Sequence, residues 1–158
     1  MRQTTRLTNN RTACQEAVRL LSRRALSKKE VQNKLAEKQY RDTEIREAMQ
    51  YLEDRRFLDD KALSLRIFEY YAALGCHGLR YILHKIKLRG LPVDCLEEQI
   101  TLWHAEGQEY RQAMAFVQHK YSREQSLTER DKIARALAGK GFSSDAIMRV
   151  VNDLTTDT

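Results

Sequence analysis

Apolar residues recur along the chain in a pattern written three times, each copy 51 residues after the last. Val31, Ile82 and Ile133 hold one register, Leu35, Ile86 and Leu137 the next, and Tyr40, Leu91 and Phe142 a third. Ile45, Leu96 and Ile147 follow, then Met49, Ile100 and Val151, then Leu52, Trp103 and Leu154. A basic column, Lys38, Arg89 and Lys140, keeps the same register and is followed by Gln39, Gly90 and Gly141. Self-similarity at such a period marks stacked supersecondary units, each too small to bury its apolar face alone. It points to an extended surface rather than to a single pocket.

Within each copy the spacing is helical. Ala13, Ala17, Leu20 and Leu21 form an i, i+4, i+7, i+8 stripe. Ser27 with Glu30 gives a capping box that opens a second helix near Lys28, with Val31 and Leu35 on its buried face and Tyr40 packed at its exit. Asp42 or Thr43 starts a third helix carrying Ile45, Ala48, Met49 and Leu52.

In the second copy, Asp59 or Asp60 caps a helix expected to place Leu63, Ile67, Tyr70, Tyr71 and Leu74 on one face. Gly75 and Gly78 break the chain before Leu79, Ile82, Leu83 and Ile86. Gly90-Leu91-Pro92 stops that helix, because proline pushes its predecessor out of the helical region. Asp94 is then expected to cap the helix of Leu96, Ile100 and Trp103.

In the third copy, Tyr110, Ala113, Met114, Val117 and Tyr121 make the first stripe, residues 122–127 read as a loop, and Thr128 opens the helix of Ile133 and Leu137. Ser143 or Ser144 caps the last helix, with Ile147, Val150, Val151 and Leu154. No segment alternates apolar and polar residues for long enough to argue a strand. The expected fold is all-α: three tandem three-helix repeats forming an elongated, curved array, over residues 13–54, 55–105 and 106–158. A flexible basic N-terminal arm, residues 1–12, precedes them.

A chain of 158 residues buries roughly 70% of its unfolded surface, enough for a core without staples. Cys14, Cys76 and Cys95 are odd in number and lie in no metal-ligand spacing, so they read as reduced thiols of a cytoplasmic protein. No run approaches the roughly 18 apolar residues of a membrane span, and the first residues lack the apolar core of a secretory signal. No membrane partner is expected, and without dimerisation heptads the chain reads as a monomer.

Catalysis needs polar groups that converge. The histidines, His77, His84, His104 and His119, are scattered and form no HExxH or Cys/His cluster. Asp59-Asp60 is explained by a helix start, where negative charge is favoured. Gly75 and Gly78 lie between helices rather than after a strand, so they make no phosphate loop. Neither an enzyme nor a cofactor is expected.

Charge is more informative. The net charge is +6 and unevenly spread: residues 70–93 hold no Asp and no Glu, while Arg80, Lys85, Lys87 and Arg89 fall there. On a helix Arg80, His84 and Lys87 share a face turned away from Leu79, Ile82, Leu83 and Ile86. Arg23, Arg24, Lys28 and Lys29 straddle the turn between the first two helices. Such stripes attract a phosphate backbone through counterion release. Base-specific reading lacks support, since no helix carries Asn, Gln and Arg at base-reading spacing.

The run Arg56-Phe57-Leu58-Asp59-Asp60, followed by a helix and by Gly78-Leu79-Arg80-Tyr81-Ile82, resembles the RecX regulatory proteins. In that family a glycine-aromatic-aliphatic-Asp-Asp segment leads to a helix and then to a basic Gly-x-x-x-Ile helix closing on Lys-Gly-Ile. Here the close is Arg89-Gly90-Leu91, and Lys140-Gly141-Phe142 repeats it. Leu20-Leu21-Ser22-Arg23-Arg24-Ala25-Leu26-Ser27-Lys28-Lys29-Glu30-Val31 is similar to the family's opening. Arg56 and Gln39 stand where the family pattern has glycine, and Glu69 and Tyr71 where members commonly carry arginines. The resemblance spans about residues 13–153.

The resemblance implies a non-enzymatic modulator that lies in the groove of the RecA–DNA filament and suppresses strand exchange and ATP hydrolysis. Its partners would be the RecA filament and single-stranded or duplex DNA. Arg80, Lys85, Lys87 and Arg89 would dock first, Arg23, Arg24, Lys28 and Lys29 second, and Lys140 with the N-terminal arm third. Two other classes remain open on the residues alone. One is an α-helical protein–protein scaffold without nucleic acid, whose binding hardly changes with salt. The other is a helix-turn-helix-like DNA-binding protein, selective for sequence without RecA.

Overall fold

A computed structural model describes residues 11–156, so most of the expected N-terminal arm lies outside the described residues. Among the described residues the secondary structure is helical, with no strand. The chain divides into two compact units, Met1–Leu63 and Ser64–Thr158.

In the first unit, α1 (Ala13–Leu21), α2 (Lys28–Glu37) and α3 (Asp42–Asp54) pack against one another. The hydroxyl of Thr12 accepts from the Gln15 N–H at 3.2 Å, and the Gln15 side chain accepts in return from the Thr12 N–H at 3.1 Å. Ser27 and Glu30 repeat the arrangement at 3.1 and 2.9 Å, starting α2 at the expected place. Ala17, Val31, Leu35 and Leu52 are fully buried, and small Ala13, Ala17 and Ala48 let α1 and α3 approach closely.

The repeat reappears as a backbone turn. Gln39, Gly90 and Gly141 all have positive φ, at 62°, 72° and 80°. One residue on, Tyr40, Leu91 and Phe142 donate their N–H groups to the carbonyls of Leu35, Ile86 and Leu137 at 3.3, 3.3 and 3.2 Å. This is the Schellman ending, which satisfies helix-end carbonyls and folds an apolar residue back onto the last turn. Helix α3 ends in the same way: Arg56 has φ 55°, and the Phe57 N–H reaches the Leu52 carbonyl at 2.8 Å. The family's glycine position is thus a left-handed turn that this chain fills with arginine.

Helix α4 (Asp60–Leu74) leads into the second unit, which continues with α5 (Leu79–Leu88), a 3-10 turn (Asp94–Leu96) and α6 (Glu97–Ala105). Then come α7 (Gln108–Lys120), α8 (Arg123–Thr128), α9 (Arg130–Gly139) and α10 (Ser144–Thr156). Ala113, Val117, Ile133, Leu137, Phe142 and Val150 form the core of its last helices.

Three expectations are corrected. The buried stripe of α4 is Leu63, Ser64 and Phe68, whereas Tyr70 is 62% and Leu74 48% exposed. Ser64 turns inward because its hydroxyl donates to the Pro92 carbonyl at 2.7 Å, and Phe68 meets Trp103 edge-on at 5.9 Å. Residues 123–127 belong to a helix rather than a loop, because its N-cap Ser122 and Gln125 close a capping box at 3.2 and 3.0 Å. Thr128 therefore ends α8, and the helix of Ile133 and Leu137 starts at Arg130. Asp94 sits in the 3-10 turn and does not cap α6, which begins at Glu97 without a side-chain cap.

Candidate nucleic-acid interface

Helix α5 buries Leu79, Ile82 and Ile86, and the helical period leaves Arg80, His84 and Lys87 exposed together on the other face. Its start is held by backbone contact: the Gly78 N–H donates to the Lys140 carbonyl at 3.0 Å. A Cβ on Gly78 would overlap the backbone of Gly141 and Phe142, so only glycine allows this approach. Between α5 and the end of α9 lies an open groove of about 460 Å³. Arg80, His84 and Lys87 line one side, and Ala138 and Gly139, too small to fill it, line the other. Leu83, expected on the buried face, is half-buried and forms part of the groove wall.

A buried carboxylate fixes this arrangement. Glu109 Oε1 accepts from the N–H of Ser143 at 2.9 Å and from that of Leu79 at 3.4 Å, and its Oε2 accepts from Trp103 Nε1 at 3.2 Å. The starts of α5 and α10 are thereby tied to one side chain. The Leu79 N–H is spent on this internal anion, so the cationic capacity of α5 lies in its side chains.

The other expected residues of this unit separate from that face. Lys85 places Nζ 5.1 Å from the centre of the Tyr81 ring, and Arg89 is half-buried at the helix end. Lys140 is half-buried, with Nζ 5.7 Å from the Phe116 ring. His77 stacks on Tyr81 at 4.0 Å, and Tyr71 meets both rings edge-on at 5.6 Å. Burial, with the charges of Lys140 and Lys85, pushes the His77 pKa below its ordinary value. The sequence interleaves these aromatic and basic residues over positions 70–85, a signal that a charge count alone passes over.

In the first unit the basic cluster is partly compensated. Lys28 Nζ lies 3.0 Å from Glu53 and Arg24 3.4 Å from Glu30, while Arg23 and Lys29 are exposed. Lys38, of the repeating basic column, lies 3.3 Å from Glu16, which is only 1% exposed and also takes two hydrogen bonds from Arg19, at 2.9 and 2.6 Å. The Arg19 hydrogen bonds, joined by Lys38, overcome burial and hold the Glu16 carboxyl at about 2. These pairs neutralise charge that the sequence presents as free for a polyanion.

Asp59 and Asp60 both serve helix starts. Asp59 accepts from the Ala62 N–H at 2.9 Å and Asp60 from the Lys28 N–H at 3.0 Å. Among the described residues no three His, Cys, Asp or Glu side chains are placed to hold a metal, and no helix is long and apolar enough to cross a membrane. Cys14, Cys76 and Cys95 are free thiols.

Comparison with known proteins gives a consistent result. The family model described as RecX, first three-helix domain, matches residues 13–52, and that for the RecX third three-helix domain matches residues 107–151. A regulatory protein RecX of Clostridium botulinum is 29% identical over 146 residues, covering 89% of this chain and 68% of that protein. One from Haemophilus influenzae is 29% identical over 132 residues, covering 81% and 85%. The crystal structure of RecX from Lactobacillus salivarius superposes with a TM-score of 0.72 at 20% identity, over 91% of this chain and 95% of that one.

Proposed function

Since the chain belongs to the RecX family, we propose that it is a non-catalytic regulator that binds the RecA–DNA filament and restrains strand exchange and ATP hydrolysis. The observation that carries this reading is the exposed row of Arg80, His84 and Lys87 along an open groove in an acid-free segment. A phosphate backbone meets there a line of cations fixed on a rigid helix, and binding draws its free energy from released counterions. The contacts are electrostatic, individually modest and collectively large.

The remaining basic residues take graded roles on this reading. Lys85 and Lys140 reinforce the field beside the Tyr71, His77 and Tyr81 rings. Arg89, Arg23, Arg24, Lys28 and Lys29 act at longer range, since several of them already face carboxylates or are half-buried. Repeats over residues 13–54, 55–105 and 106–158 would present these patches along the filament as a monomer in the cytoplasm.

The test is fluorescence anisotropy of the labelled protein against a preformed RecA–single-stranded-DNA filament, with bare DNA as the paired control. Tight filament binding, with bare DNA clearly weaker at physiological salt, supports the reading. Equal binding to both recasts the protein as a non-specific nucleic-acid binder, and binding to neither favours a scaffold for another partner.

A further inference from the structure

The charge pattern reverses directly after α5. Residues 90–110 contain no Lys and no Arg, while Asp94, Glu97, Glu98, Glu106 and Glu109 all fall there, in a chain of net charge +6. Against this acidic stretch, bordered by α4, α6 and α7, lies an open groove of about 370 Å³. Its walls are apolar, with Phe68 and Trp103 at the base and Leu102, 50% exposed, at the rim.

Two of the side chains that line it each keep an unpaired polar atom. The side-chain oxygens of Gln99 and Gln112 are buried and accept no hydrogen bond from any described residue. Gln112 is only 9% exposed, and its Nε2 donates to the Ala72 carbonyl at 3.0 Å. That bond decides which end of the amide is left over, so the unused acceptor is fixed by the structure. Buried acceptors without donors destabilise a fold, and native proteins keep few of them. Glu106 stands at the mouth, holding Gln108 at 3.0 Å and Arg111 at a looser 3.7 Å.

We propose that this groove receives an arginine side chain presented by a protein partner. A guanidinium supplies several N–H donors in one plane and no acceptor, which suits two amide oxygens and a carboxylate. It is weakly hydrated, and its alkyl stem suits the apolar wall of the groove. The strongly hydrated ammonium of lysine matches less of this, and a phosphate would meet only acceptors and acid. This inference stands apart from the polyanion reading of α5 and does not depend on it.

The probe is the pentapeptide acetyl-Gly-Gly-Arg-Gly-Gly-amide, titrated into the full-length ¹⁵N-labelled protein while side-chain amide and indole resonances are followed. The controls carry citrulline, the uncharged isostere, or lysine in place of arginine. Expected is a joint, saturating response of Gln99, Gln112 and Trp103, with affinity at least about fivefold above that for citrulline, as charge-assisted hydrogen bonds predict. Gln112→Met, which keeps the volume and removes the acceptor, should weaken binding about fivefold. Glu106→Gln, at the solvent-exposed mouth, should weaken it by about two- to threefold through lost charge pairing.

No response, an equal response to citrulline, or shifts scattered over the acidic surface and indifferent to both variants would overturn the proposal. Deleting residues 1–10 tests the origin of the arginine. An unchanged response keeps the partner assignment. A much stronger one would identify the chain's own N-terminal arginines as the occupant and overturn it.

Discussion

The backbone N–H of Gly78 donates to the carbonyl of Lys140 across 3.0 Å, so α5 and the end of α9 meet main chain to main chain. A methyl group at position 78 would overlap Gly141 and Phe142 backbone atoms, which cannot swing aside as a flexible side chain could. Gly78→Ala is therefore expected to cost about 1–3 kcal/mol or more through overpacking. Urea unfolding measures this directly, and a change below about 0.5 kcal/mol would mean that the two segments are not in contact.

At Gln39 the same turn is made by a residue poorly suited to it. Its φ of 62° matches the 72° of Gly90 and the 80° of Gly141, but only the glycines adopt that region without steric cost. Gln39→Gly should raise stability by up to about 1 kcal/mol, and Gly90→Ala should lower it by about 1 kcal/mol. Opposite signs in thermal unfolding are the outcome to look for; a loss from both substitutions would contradict the shared turn.

Glu16 gives the first unit a pH dependence. Its folded pKa of about 2 lies below the ordinary 4.5, so its contribution is complete above pH 4.5 and fades as pH falls towards 2. Glu16→Gln should cost about 2–3 kcal/mol at pH 7, and the gap between the two proteins should close near pH 2. Paired unfolding curves across that range check it. A gap independent of pH would assign Glu16 a packing role only.

Ile86 belongs to the column of Leu35 and Leu137, and all three are fully buried. Ile86→Ala is expected to destabilise by about 2–5 kcal/mol, the range for emptying a core site. A cost near zero in chemical denaturation would place the residue outside the core.

Arg80 and Lys87 line the groove, whereas Lys85 packs near Tyr81 and Arg89 is half-buried. Replacing Arg80 and Lys87 together with Gln should leave unfolding unchanged and flatten the salt dependence of filament binding. For two lost single-strand phosphate contacts the log–log slope falls by about 1.4. The Lys85→Gln, Arg89→Gln pair should change it less. The reverse order would move the interface to the aromatic side of α5.

What the chain order made readable was local. The capping boxes of Ser27 and Thr12, and the turns after Leu35, Ile86 and Leu137, depend on residues within six positions of one another. The short helix at residues 123–128 was announced by its Ser122–Gln125 box, though a run of polar residues concealed it. The buried face of α4 was not readable, because Ser64 counts as polar until the Pro92 carbonyl, 28 positions away, takes its hydroxyl proton. Glu109 and Glu16 escaped for the same reason: a carboxylate looks solvated until its distant donors are known. The basic face of α5 followed from helical period alone, but the small residues of α9 that open a groove beside it required the fold.

The left-handed residue at each Schellman ending has a wider meaning. A turn fixed by main-chain geometry sets the exit direction of a helix with little regard for neighbouring side chains. The fold then asks for a few apolar anchors and one permissive backbone position at each such helix ending, leaving most surface positions unconstrained. That economy accounts for a superposition at a TM-score of 0.72 when only 20% of residues agree. It also lets the outward faces of such proteins be rewritten, partner by partner, while the scaffold beneath them stays the same.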